Sequence, residues 1–189
     1  KLPSKTIERK LFRQGRPCLI GVDEVGMGCL AGPVLVCAVL FTHLFYARSH
    51  RKLRRLRDSK LLTARQRTRF ARELLATPGL EYRLGYCFPR TIDRINIYQA
   101  ARLAMRRAIR RLGRRRALVL VDGKTTIDGL DMEQLPIVGG DRKVFAIACA
   151  SIIAKVYRDR MMERYAKRFP GYGLERHKGY GTKLHRARL

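Results

Sequence analysis

The stretch Cys18-Leu19-Ile20-Gly21-Val22-Asp23-Glu24-Val25-Gly26-Met27-Gly28-Cys29-Leu30-Ala31-Gly32-Pro33, running into Val34-Leu35-Val36-Cys37-Ala38-Val39-Leu40-Phe41, decides the fold. Residues 17–24 read as a short apolar strand that ends on two adjacent carboxylates. A Gly-rich turn, Gly26 to Pro33, follows, and Val34 to Phe41 is an unbroken apolar run whose length and β-branching predict a buried strand.

Working outward, residues 2–13 predict a short leading helix, and 43–57 form a basic connector without a clear period. Thr63 to Leu75 reads as a helix with Thr63 as its N-cap, ended by Pro78-Gly79. Tyr82 to Phe88 predicts a strand. One long helix is expected from Thr91 to about Arg114, with Ile95, Tyr98, Ala101, Met105, Ala108, Ile109 and Leu112 on its apolar face. Its other face carries Arg94, Arg102, Arg106, Arg107, Arg110 and Arg111 and reads as solvated. Ala117 to Val121 is an all-apolar strand ending on Asp122-Gly123. Pro136 to Val138 is a short strand ending at Gly139-Gly140-Asp141, and a helix runs from Val144 to Arg168. Strands first, then strands alternating with helices, predict an α/β fold: a mixed sheet flanked by helices.

The chain has 189 residues, with 42 Lys and Arg against 15 Asp and Glu, a formal net charge of +27. At 46% hydrophobic residues it can bury a core, so a disordered basic tail is excluded. No apolar run approaches the roughly 18–20 residues of a membrane span. Lys1 to Gly15 is polar and basic, so no secretory signal is expected. The five cysteines show no zinc-like spacing and read as free thiols of a cytoplasmic protein. A charge of this size calls for a polyanionic partner, and nucleic acid leads an anionic membrane because the charge is spread along the whole chain.

Against that excess the 15 acids are informative. Glu8, Glu73, Glu81, Glu163 and Glu175 read as surface residues. Asp23 and Glu24 end one strand, Asp122 ends another, and Asp141 follows a third. Sites in α/β sheets gather at the carboxyl ends of strands. Two carboxylates about 4 Å apart repel by about 4 kcal/mol at an effective dielectric near 20. A raised pKa, an arginine partner or a divalent cation relieves this, and within a polyanion-binding surface the cation fits best. Metal-dependent phosphodiester hydrolysis is the chemistry that outcome points to, with arginine pairing as the structural alternative. Asp159 joins Ser151 and Lys155 on one helical stripe and reads as structural, paired with Lys155. The Gly26-x-Gly28 turn fails as a dinucleotide fingerprint, since its third glycine falls late at Gly32 and a strand follows where a helix is needed. The histidines read as surface residues, with His177 a candidate for a phosphate or leaving-group contact.

The block Gly21 to Val34 resembles the opening motif of bacterial ribonuclease HII. The resemblance continues in order through Asp58-Ser59-Lys60-Leu61-Leu62, Ile92 to Ile97, Leu120-Val121-Asp122-Gly123, Gly140 to Val144, Ala150 to Asp159, and Pro170 to Tyr180. It implies an RNase H-like catalytic domain over 1–168 and a small helical C-terminal extension over 169–189 that contributes to substrate binding. It further implies a cytoplasmic, monomeric endonuclease. Its substrates would be RNA in RNA–DNA hybrids and ribonucleotides embedded in duplex DNA. Cleavage would use Mg²⁺ or Mn²⁺ and leave a 3′-hydroxyl and a 5′-phosphate. Asp23, Glu24, Asp122 and Asp141 fall on the family's catalytic, metal-binding carboxylates. Tyr180 falls on its sugar-packing tyrosine, and Lys60, Lys143, Lys155 and Lys178 are candidate phosphate contacts. Gly26-Met27-Gly28 stands where the family usually has Gly-Arg-Gly, which leaves open a ribonuclease HIII-like taste for longer hybrids. The alternative of another class is a non-catalytic basic nucleic-acid-binding protein.

Overall fold

The computed structural model describes residues 6–45 and 62–189, so Lys60 and the greater part of the 43–57 connector lie outside the described residues. A five-stranded sheet forms the middle layer, built from β1 (Cys18–Val25), β2 (Val34–Thr42), β3 (Glu81–Cys87), β4 (Leu118–Asp122) and β5 (Gln134–Ile137). The strand order is β3-β2-β1-β4-β5. β1 pairs antiparallel with β2 and parallel with β4, and β4 pairs parallel with β5. The carboxyl ends of β1, β4 and β5 therefore share one edge.

Both faces of the sheet are covered, which is why β2 reads as a continuous apolar run and not an alternating one. Leu19, Leu35, Val39, Phe41, Leu118 and Leu120 pack under the long helix α6 (Phe145–Arg168), while Ile20, Val22, Val36, Leu40, Val119 and Val121 pack under α4 (Ile97–Leu112). Two glycines let the helices come close. A Cβ on Gly21 would stand 2.4 Å from the carbonyl carbon of Ala146, and one on Gly85 would stand 2.1 Å from the carbonyl oxygen of Ala104. Other helices among the described residues include α1 (Thr6–Arg13), α2 (Ala64–Leu75), α3 (Pro89–Ile95) and the single turns α5 (Gly140–Lys143), α7 (Leu174–His177) and α8 (Lys183–Arg186).

Thr63 caps α2, as expected, and the structure adds a capping box with Gln66. Three sequence expectations need correction. The helix expected over 91–114 is two helices, broken at Asn96, whose φ of 64° cannot continue a helix and whose side chain caps α4 through Gln99 N at 3.0 Å. Tyr98, at the start of α4, is exposed and hydrogen-bonds Thr125. Glu8 is buried, not on the surface. It accepts a 3.0 Å bond from Ala146 N in the first turn of α6, which has no side-chain cap of its own. A carboxylate suits that helix end, where free amides and the positive end of the macrodipole coincide. Among the described residues no helix is long and apolar enough to cross a membrane.

Candidate active site

The sheet edge brings the strand-end acids together. In the register of β1 and β4, Val22 lies opposite Val121, so Asp23 and Asp122 stand side by side one residue further on. Strand alternation turns Asp23 and Asp122 toward α6, with Leu19 and Leu120, and turns Glu24 toward the α4 face, with Val22. Asp23 is 5% exposed. Burial pushes its carboxyl well above the ordinary value, and the charges of Glu24 and Asp122 push it further. A hydrogen bond from the Ser151 side chain on α6 and a 2.8 Å bond from the Glu24 amide oppose that rise. The Asp122 carboxylate accepts a 2.7 Å bond from Gly140 N, which ties it to the turn carrying Asp141. Asp141 is buried in that turn.

Asp23, Glu24 and Asp122 open on a cleft of about 250 Å³ lined also by Gly26, Met27, Gly28, Ser151, Lys155 and Tyr180, with Val25 at its wall. Asp141 is not in that lining. Among the described residues no three acidic, histidine or cysteine side chains are gathered into a ready metal cluster. The donors are nonetheless all oxygen, and Asp23 is a buried carboxyl with two like-charged neighbours. That chemistry fits a hard divalent cation.

The other predicted site residues divide. Gly26, Met27, Gly28, Lys155 and Tyr180 reach the cleft. Lys155 Nζ is bonded to Asp159 Oδ1 at 2.7 Å, the pairing the sequence predicts, and lies 5.2 Å from the centre of the Tyr180 ring. Asp159 is also 3.8 Å from Arg67. Met27 packs its side chain against the α4-side core. Lys143 and Lys178 do not line the cleft; Lys143 donates to Val138 O at 2.7 Å, and Lys178 pairs with Glu163 at 2.7 Å. His177 is an internal brace and not a surface residue. It is buried, bonds Tyr172 O and Gly179 N, and stacks on His185 at 4.1 Å. His185 is buried as well.

Two residues escape a sequence reading. Ser151 touches the buried acid, and the stripe it shares with Lys155 is its one signal. Arg158 is fully buried, and no periodicity marks an arginine on a basic helix as internal.

Comparison with known proteins gives the family and the fold. The ribonuclease HII family model matches residues 20–189. The ribonuclease HII of Parasynechococcus marenigrum is 48% identical over 92% of this chain and 77% of its own. That of Chlorobium luteolum is 43% identical over 97% of this chain and 88% of its own. Among solved structures, RNase HII in a complex with PCNA from Archaeoglobus fulgidus superposes with a TM-score of 0.72 at 25% identity, over 89% of this chain and 83% of that one. An RNase HIII solved with Mn²⁺ shares the fold, with a TM-score of 0.64 at 21% identity over 81% of this chain and 55% of that one. With its acids at the sheet edge and its motifs in family order, the chain belongs to the ribonuclease HII family of hydrolytic endoribonucleases.

Proposed function

We propose that the chain cuts the RNA strand of RNA–DNA hybrids and the phosphodiester beside a ribonucleotide embedded in duplex DNA, leaving a 3′-hydroxyl and a 5′-phosphate. The observation that carries this reading is the buried Asp23 carboxyl, flanked by Glu24 and Asp122 in a cleft whose rim holds a glycine turn and an aromatic ring. Asp23, Glu24, Asp122 and Asp141 would hold Mg²⁺ or Mn²⁺. When bound, such ions polarise the scissile phosphate and lower the pKa of an attacking water. The protein's own contribution is placement. Ser151 steadies Asp23, and the Gly140 amide steadies Asp122. The Gly26–Gly28 backbone offers close approach to a ribose 2′-hydroxyl, the group that separates RNA from DNA. Tyr180 presents a partly exposed ring to the sugar, and Lys155 adds positive charge beside it.

Met27 is the departure. Its side chain joins the apolar core and brings no charge to the rim. We propose that selection at a lone ribonucleotide then rests on the turn backbone and Tyr180, with longer hybrids well accepted. The segment 169–189 is proposed as a substrate-binding extension of the 1–168 catalytic domain, in a monomeric, cytoplasmic enzyme. The test pairs three duplexes: all DNA, DNA with one ribonucleotide, and a longer hybrid. Cleavage of the last two that appears with Mn²⁺ or Mg²⁺ and vanishes with EDTA is expected. Equal cutting of the all-DNA duplex would overturn 2′-hydroxyl recognition.

A further inference from the structure

Arg158 is fully buried on α6, yet no carboxylate among the described residues pairs with it. Its guanidinium donates instead to three main-chain carbonyls. Nε bonds Pro33 O at 2.9 Å and Nη2 bonds Ala31 O at 3.1 Å, both at the end of the glycine turn. Nη1 bonds Lys178 O at 2.7 Å, in the C-terminal segment. One planar group thus joins two segments far apart in sequence. The backbones meet at the same place: Leu30 N donates to Gly179 O at 2.9 Å, and Cys29 bridges Tyr180. Side chains are missing where the parts meet. A Cβ on Gly26, at φ 106°, would stand 2.6 Å from Arg158 Nε, and one on Gly179 would stand 2.3 Å from Ala31 O. The Tyr180 ring centre lies 6.0 Å from the guanidinium carbon.

We propose that Arg158 is a positioning residue for ribonucleotide selection. It sets the spacing between the Gly26–Gly28 turn and the Tyr180 ring, the two walls against which the sugar is held, without itself touching substrate. The inference rests on the reading of those two walls as the selecting elements. An arginine is needed because its rigid fork presents donors in three directions in one plane. A lysine offers a compact ammonium that cannot span the same three carbonyls in fixed geometry.

The test is a double-mutant cycle on the full chain, with kcat and KM read on a duplex carrying one ribonucleotide. Arg158→Lys is expected to lower kcat/KM by about tenfold or more in the parent but by less than about threefold in a Tyr180→Ala background, because coupled residues are not additive. The chain has no tryptophan, so Tyr180→Trp supplies a unique fluorophore at the wall. Adding Arg158→Lys to it should shift the emission to the red and increase acrylamide quenching while a cooperative melt persists. Should Arg158→Lys lack such a melt, Arg158→Gln takes its place in both measurements. Equal losses in the two backgrounds, with unchanged emission, would overturn the positioning role and leave the reading of Tyr180 standing. A Tyr180→Ala variant as active as the parent would overturn that reading and this inference with it.

Discussion

Asp23 carries the tension of the site. Its protonated form is favoured in the fold, because burial and two neighbouring carboxylates oppose its charge. The metal-free chain therefore keeps this group's contribution at acid pH and loses it as pH rises through the raised pKa. Asp23→Asn removes the charge while keeping the shape. In EDTA it should raise the melting midpoint at neutral pH and above, by roughly 2–4 °C for each kcal/mol of relieved repulsion in a chain of this size. The gain should shrink toward the ordinary carboxylate range, and a lowered midpoint at neutral pH would argue against the repulsion. A site that costs stability is the usual mark of stored function. The positions of Asp23, Glu24 and Asp122 at strand ends were legible in the sequence because acids are scarce, while Asp141 sits in the turn beyond β5. Ser151 was not singled out, since a serine within an apolar helix looks like any small core residue until the helix is laid on the sheet.

Helix-on-sheet packing is what delivers Ser151 and Lys155 to the cleft and Arg158 to the buried contact behind its wall, and Gly21 sets that packing. Gly21→Ala must push α6 off β1, since the added carbon would sit 2.4 Å from Ala146 backbone. A cost of about 3 kcal/mol, hence a fall of roughly 6–12 °C in the melting midpoint, is expected. Gly28→Ala, where nothing lies within 4 Å of the new carbon, should leave the midpoint within about 1 °C. Equal falls would mean that backbone freedom and not close approach explains both glycines. The strands were legible from their apolar runs and the start of α2 from Thr63 as its N-cap. The break at Asn96 was not, because the heptad-like apolar pattern runs on across it, and a side-chain cap competes with helix continuation through a backbone angle that no pattern displays. The cap from Glu8 to α6 was hidden for another reason: it joins residues 138 positions apart.

At the scale of the whole molecule, the charge of +27 overstates the surface available to a duplex. Arg106 donates to Asp128 O at 3.0 Å and Arg110 to Gly129 O at 2.7 Å, while Arg102 holds Thr125 and Thr126, so one stripe of α4 staples the loop that follows Asp122. Duplex affinity should fall with log salt by about 0.9 per phosphate neutralised. Arg106→Ala should leave that slope unchanged in an anisotropy titration, and a slope shallower by about one would place Arg106 on a phosphate. The fold class was readable in the sequence, but which arginines are bonded to the protein's own loops was not, since composition counts charges without saying what they bind. If the sheet-edge acids perform the chemistry and the basic surface performs the binding, one substitution separates the two: Asp122→Asn, assayed with Mn²⁺ on a duplex carrying one ribonucleotide, with cleavage and affinity measured on the same preparation. Cleavage should fall by at least about a thousandfold while affinity stays within about threefold of the parent. Turnover equal to the parent's would contradict that division.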